Sequence, residues 1–143
     1  MAELSNNEAG RGFTDVIRLT YEDLISIGNG GQQTIATIPA GGAVEMCGIH
    51  KSVAFVGTSS LIIDVGTTAG DPDEFINAQD ADVLTVPIFN QGEAFTGGQS
   101  QPVGGAASAT SVLLEVTDAA IASATAGEIV IGLRILDLGQ FAS

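Results

Sequence analysis

Cys47 and His50 are the two residues best equipped for chemistry. A thiolate beside an imidazole can serve as a nucleophile or as half of a metal site. They stand three apart in Cys47-Gly-Ile-His50. On a regular strand that spacing points them to opposite faces. Cys47 is therefore expected inside a sheet, and His50 as a polar residue at a strand end. The chain has one Cys and one His, so neither a disulfide framework nor a Cys- or His-rich zinc set is available. Ser59, Ser60 and Ser111 share His50 as their only possible triad base.

Asp71, Asp73, Glu74, Asp80 and Asp82 form a second candidate, an acidic cluster. Closely spaced carboxylates suit hard cations such as calcium. The run lacks the alternating acids, central Gly and final Glu of an EF-hand loop. Helix capping and a solvated face are the expected roles, and cation binding is left open. Paired carboxylates also serve glycosidases, but a chain without Trp and with one Tyr is poorly furnished for stacking sugars. Gly97-Gly98 and Gly104-Gly105 are followed by no Lys-Ser or Lys-Thr, which excludes a P-loop. The expectation is a protein that is not an enzyme, with no cofactor and no bound metal.

The elements that position these residues read as all-β. Nineteen Gly and four Pro punctuate short apolar segments, the mark of many short strands. Val112, Leu114 and Val116 share one face, with Glu115 opposite. Ile129, Ile131, Leu133 and Ile135 do the same, with Arg134 opposite and Gly132 leaving room. Leu61, Ile63 and Val65 repeat the pattern around Asp64. A period of two with one apolar face means half-buried antiparallel sheet.

Strands are predicted over residues 13–20, 33–38, 44–49, 52–56, 61–65, 83–88, 111–117 and 128–136. About eight strands in 143 residues suffice for two packed sheets. A jelly roll and other Greek-key sandwiches both satisfy this count. Residues 21–26 read as a short helix capped by Thr20, with Glu22 and Asp23 in the first turn. Residues 72–80 read as another, with Asp71 as cap and Pro72 at the first position. Residues 1–12 are polar and small, and are expected to form a flexible arm ahead of one domain over 13–143. The stretch 90–108 is long for a connection inside a compact domain.

Charge limits the partners. Four Lys plus Arg against 17 Asp plus Glu give a net charge of −13. Arg11, Arg18, Lys51 and Arg134 are too few to neutralise a phosphate backbone. No nucleic-acid and no membrane partner is expected. At 45% hydrophobic residues the chain is not expected to be disordered, and no apolar run reaches the length of a membrane helix. The first residues carry no basic region and no apolar stretch, so no secretion signal is expected.

The stretch from Leu61 to Val83 carries a resemblance. It reads as a strand ending in Val65-Gly66, then Asp71-Pro-Asp-Glu-Phe75-Ile, then Ala78-Gln-Asp80. With the turn Ile38-Pro39-Ala40-Gly41, the segment Val44 to Val56 and the ending Ala126-Gly127-Glu128-Ile129-Val130-Ile131, it resembles small virion proteins of tailed bacteriophages, the capsid decoration or cement proteins. The resemblance spans residues 31–136, roughly. It implies a jelly-roll-like β-sandwich that sits as a homotrimer on the outer capsid surface and clamps neighbouring major capsid subunits. It carries over no fixed binding motif. Leu4 and Phe13, apolar anchors in a polar start, and Arg11, its lone cation, are the expected capsid contacts. A tail, fibre or host-recognition component that binds a cell-surface glycan is the alternative. A small enzyme and a cellular adaptor are further classes that fold alone does not separate.

Overall fold

The computed structural model describes residues 2–4, 12–95 and 105–141. Among the described residues nine strands build two antiparallel sheets: β1 (Ala2–Leu4), β2 (Asp15–Thr20), β3 (Gln32–Ile38), β4 (Gly42–Val56), β5 (Ile62–Gly66), β6 (Ile76–Asp80), β7 (Ile88–Phe89), β8 (Thr110–Thr117) and β9 (Ala126–Asp137). The first sheet runs β1-β2-β9-β4-β7 and the second β3-β8-β5-β6. From β2 onward there are eight strands. The first pairs with the eighth, the second with the seventh, the third with the sixth and the fourth with the fifth. That is one long antiparallel ribbon folded over on itself, the jelly roll that the resemblance favoured among Greek-key sandwiches.

Alternation builds the core. Ile17 and Leu19 of β2, Cys47 and Ile49 of β4, and Ile129, Ile131 and Leu133 of β9 point inward from the first sheet. Ile63 and Val65 of β5, with Val112, Leu114 and Val116 of β8, meet them from the second. Between β2 and β3 lies α1 (Tyr21–Ile27), whose Leu24 is fully buried. The Thr20 hydroxyl accepts from the Asp23 N–H while the Asp23 carboxylate accepts from the Thr20 N–H, a reciprocal cap that makes so short a helix viable.

Three expectations are corrected. Residues 72–80 are not a helix: Ile76–Asp80 is strand β6, and Phe75 and Ile76 are both buried. A helix of two turns is marginal alone, whereas β6 gains ladder bonds from β5 and Phe75 N–H donates to Val65 O. Residues 83–88 are not a strand. Ala81–Val83 forms a 3-10 turn capped by Asp80, and Pro87 lacks the N–H a ladder needs, so pairing is confined to Ile88–Phe89. The two strands at 44–49 and 52–56 are one strand, β4. Its register against β9 shifts between Val44 and Met46, between Lys51 and Val53, and between Val53 and Val56. Bulges of this kind mask the alternation that sequence patterning relies on. Within the segment expected as a flexible arm, Ala2–Leu4 lies antiparallel to β2.

Candidate functional site

The long strands leave Cys47 and His50 on opposite faces of β4. Cys47 is fully buried, and burial pushes its thiol up, away from the nucleophilic thiolate. His50 stands on the outer face, and its Nδ1 is buried without a hydrogen-bond partner. No thiol–imidazole pair forms.

The acidic cluster is turned into backbone. Glu74 accepts from the hydroxyls of Thr67 (2.7 Å) and Thr68 (2.8 Å) and from the Thr67 N–H. Burial alone raises its pKa, but these donors outweigh it and hold the group below its usual value. Asp82 accepts from Thr58 Oγ1 (2.6 Å) and the Leu61 N–H (3.0 Å). Asp80 caps the turn that follows it. Among the described residues no three metal-ligating side chains converge. Asp118, 3% exposed, is another structural carboxylate that the sequence reading missed. It holds the Ser59 hydroxyl at 2.8 Å, the Ser59 N–H at 3.2 Å and the Ala120 N–H at 2.9 Å.

The outer faces of the two sheets differ in chemistry. On the second sheet Asp64 and Glu115 lie directly opposite each other on β5 and β8. Burial raises the Asp64 pKa, and the charges of Glu115, Asp71 and Asp73 raise it further, against the Ala78 N–H it accepts at 2.6 Å. On that face the two acids repel each other, and Gln32 Nε2 donates to Glu115 at 3.4 Å.

The first sheet presents aromatics and arginines. Gly48 of β4 and Gly132 of β9 are cross-strand partners. Each stands between two core residues, so each faces outward. Phe13 lies over Gly132 and Phe89 over Gly48. A Cβ at Gly132 would come within 2.6 Å of the Phe13 ring, and one at Gly48 within 2.5 Å of the Phe89 ring. The two rings stack with centroids 6.4 Å apart and planes 17° apart. A glycine in a strand interior marks this kind of close approach. Around the rings Val16, His50, Pro87 and Val130 complete an apolar groove of about 160 Å³.

Two ion pairs stand on the same sheet near the groove. Arg18, opposite Val130 in register, reaches Glu128 at 3.7 Å. Arg134, two residues beyond Gly132, reaches Glu45 at 3.2 Å. Both arginine side chains are 45% exposed. Val83 and Val86, in the connection that leads to β7, are also exposed. A larger recess of about 460 Å³ lies at the end of the sandwich beside Leu136, Leu138 and Phe141, with no basic side chain lining it.

Of the three expected contact residues, Phe13 lies in the groove. Leu4 is in β1, opposite Val16 in backbone register. Arg11 lies outside the described residues. Phe89 was missed, because residues 83–88 were read as a strand that stopped before it. Gly48 in mid-strand, paired with Gly132, was the available signal. The stretch at 90–108 begins as ordered backbone: Glu93 and Ala94 N–H groups donate to Asp73 and Glu74, and Phe95 is buried against Phe75 at 6.3 Å. Residues 96–104 of that stretch lie outside the described residues. Among the described residues no helix is long and apolar enough to cross a membrane.

No protein-family model matches the sequence, and no curated protein matches it. Among solved structures, a chain of the cyanophage Pam1 capsid asymmetric unit is similar, with a TM-score of 0.55 and 15% sequence identity. The match covers 93% of this chain and 91% of that one. At that identity the likeness is one of fold.

Proposed function

We propose that the chain is a non-enzymatic structural protein of a phage virion, which decorates the outer capsid surface and stabilises contacts between major capsid subunits. The observation that carries this reading is the jelly roll shared over nearly the whole length of both chains with a component of a phage capsid. Its surface fits the role. A net charge of −13 opposes binding to packaged nucleic acid and to anionic membranes.

The mechanism is linkage. A protein that binds assembled subunits and not separated ones shifts the equilibrium toward the shell. A homotrimer gains further from several simultaneous contacts, because each later contact is intramolecular. The test is the number of copies in purified particles, by quantitative mass spectrometry against the major shell protein. Copies near equal to the shell protein support decoration. A handful per particle moves the chain to a tail or fibre, and absence overturns the virion reading.

A further inference from the structure

We propose that Asn29 is a site of spontaneous deamidation, held unreactive in the folded chain by β8 and released when the turn after α1 lifts off that strand. The ground is one dipeptide and three hydrogen bonds. Asn29 is the only asparagine of the chain followed by glycine. Gly30 lacks a Cβ, so nothing shields its nitrogen from the Asn29 side chain. Both residues are exposed, so water and hydroxide reach them.

The reaction needs no enzyme. Gly30 N gives up its proton to hydroxide and attacks Asn29 Cγ. The Gly30 N–Cγ bond forms, the Cγ–Nδ2 bond breaks, and Nδ2 takes a proton from water and leaves as ammonia. Water then opens the cyclic imide at one of its two carbonyls. Attack at Cγ gives aspartate. Attack at the backbone carbonyl gives isoaspartate, whose main chain runs through Cγ. Either product carries one carboxylate more than the starting chain.

The fold withholds both reacting groups. The Gly30 N–H donates to Val116 O at 2.7 Å, and the Val116 N–H donates to Gly31 O at 3.1 Å. These two bonds carry the β3–β8 ladder one step past the pairing of Gln32 with Glu115. The Asn29 Oδ1 accepts from the Asp118 N–H at 3.0 Å. The proton that must leave is therefore bonded to β8, and the carbon that must be attacked is tied to the loop that follows it. Gly30 sits at a φ of 76°, which glycine holds without strain, so no backbone tension drives the turn open. Attack has to wait for the turn to lift, a local opening that is rarer than the closed state but far commoner than global unfolding.

The experiment incubates the full chain at pH 8 and 37 °C, folded and in denaturing urea. Mass spectrometry of digests follows conversion at each asparagine, and ion exchange resolves the added charge. In urea Asn29 should convert ahead of Asn77 and Asn90. In the folded chain its conversion should be slower, on the order of tenfold or more. Gly31→Ala keeps the Asn-Gly pair but sets a Cβ against the Ile27 carbonyl oxygen, so it should push the turn outward and speed the folded reaction several-fold. Hydrogen exchange on the unaltered chain reads the same opening even if that variant unfolds, and the Gly30 amide should be protected. Equal rates in folded and unfolded chain, or an unprotected Gly30 amide, overturn the lock. Another asparagine converting ahead of Asn29 in urea overturns the site. A folded Gly31→Ala chain that reacts no faster overturns the turn as the gate.

Discussion

Replacing Gly48 by Ala tests whether the aromatic pair depends on the glycine floor. The new Cβ would sit 2.5 Å from two atoms of the Phe89 ring, closer than any real contact, so the ring must leave its place. Phe89 is 42% exposed where it lies. Taking about 200 Å² for a fully buried Phe, roughly 115 Å² of its surface is covered. At about 25 cal/mol per Å², expelling the ring forfeits up to about 3 kcal/mol. Alanine returns roughly 0.5–1 kcal/mol, because it is less disordered than glycine in the unfolded chain. The expected net loss is about 2 kcal/mol, or roughly 5–10 °C in Tm for a domain of this size. Thermal and urea unfolding of Gly48→Ala, Phe89→Ala and the double variant form the assay. With the ring already gone, adding Ala at 48 should be neutral or slightly stabilising, so the two changes should couple by 1–3 kcal/mol. An equal loss from Gly48→Ala in both backgrounds would refute the reasoning, since the damage would then lie in the β4–β9 backbone and not in the ring.

Three further outcomes follow from buried groups. Cys47 should resist thiol reagents in the native protein at pH 8 and react fully in denaturant, because burial both raises its pKa and blocks access; rapid native labelling would contradict the packing. Asp118→Asn should destabilise by about 2–3 kcal/mol, since it replaces a charged acceptor of three bonds between two loops. Burial raises the Asp118 pKa less than its donors lower it, so its folded value lies below its unfolded one. Its contribution is present above the ordinary carboxylate value and lost as pH falls through the folded value, so Asp118→Asn should flatten acid unfolding there. Asp64 has the opposite sign. Its raised folded pKa gives stability that is present at acid pH below the unfolded value and lost as pH rises through the folded one. Asp64→Asn, which keeps an acceptor for the Ala78 N–H, should therefore raise Tm at pH 7 and change it little at pH 3. A lower Tm at pH 7 would refute the repulsion with Glu115.

Much of the sandwich was legible because it depends on local alternation. Ile129, Ile131 and Leu133 against Arg134, and Leu114 and Val116 against Glu115, announced half-buried strands, and each of these apolar residues lies in the core. The short helix after Thr20 was legible for the same reason, since its cap is written within four residues. The reading failed where tertiary pairing overrode local signals. Asp71, Pro72 and the acids after them are good helix-start chemistry, yet Glu74 is drawn to Thr67 and Thr68, and the chain beyond pairs with β5. At 83–88 two valines promised a strand that Asp82, held by Thr58 and the Leu61 N–H, turns aside.

The groove was half legible, and the missing half shows what a single sequence withholds. Phe13 stood out as an apolar residue beside a polar start, and Gly132 as room left beside Arg134, opposite the apolar face. Neither says what fills the gap. Phe89 is 76 residues from Phe13, and the ring contact exists only because β9 lies between β2 and β4 while β7 closes the sheet edge. Folding the ribbon in half brings Gly48 opposite Gly132. The same fold sets Arg18 and Arg134 on that face while Asp64 and Glu115 meet on the other. The net charge was countable from composition, but its division between two surfaces depends on which strands share a sheet. The strand order, which the sequence left open, therefore puts two facing acids on one outer face and the stacked rings with their paired charges on the other.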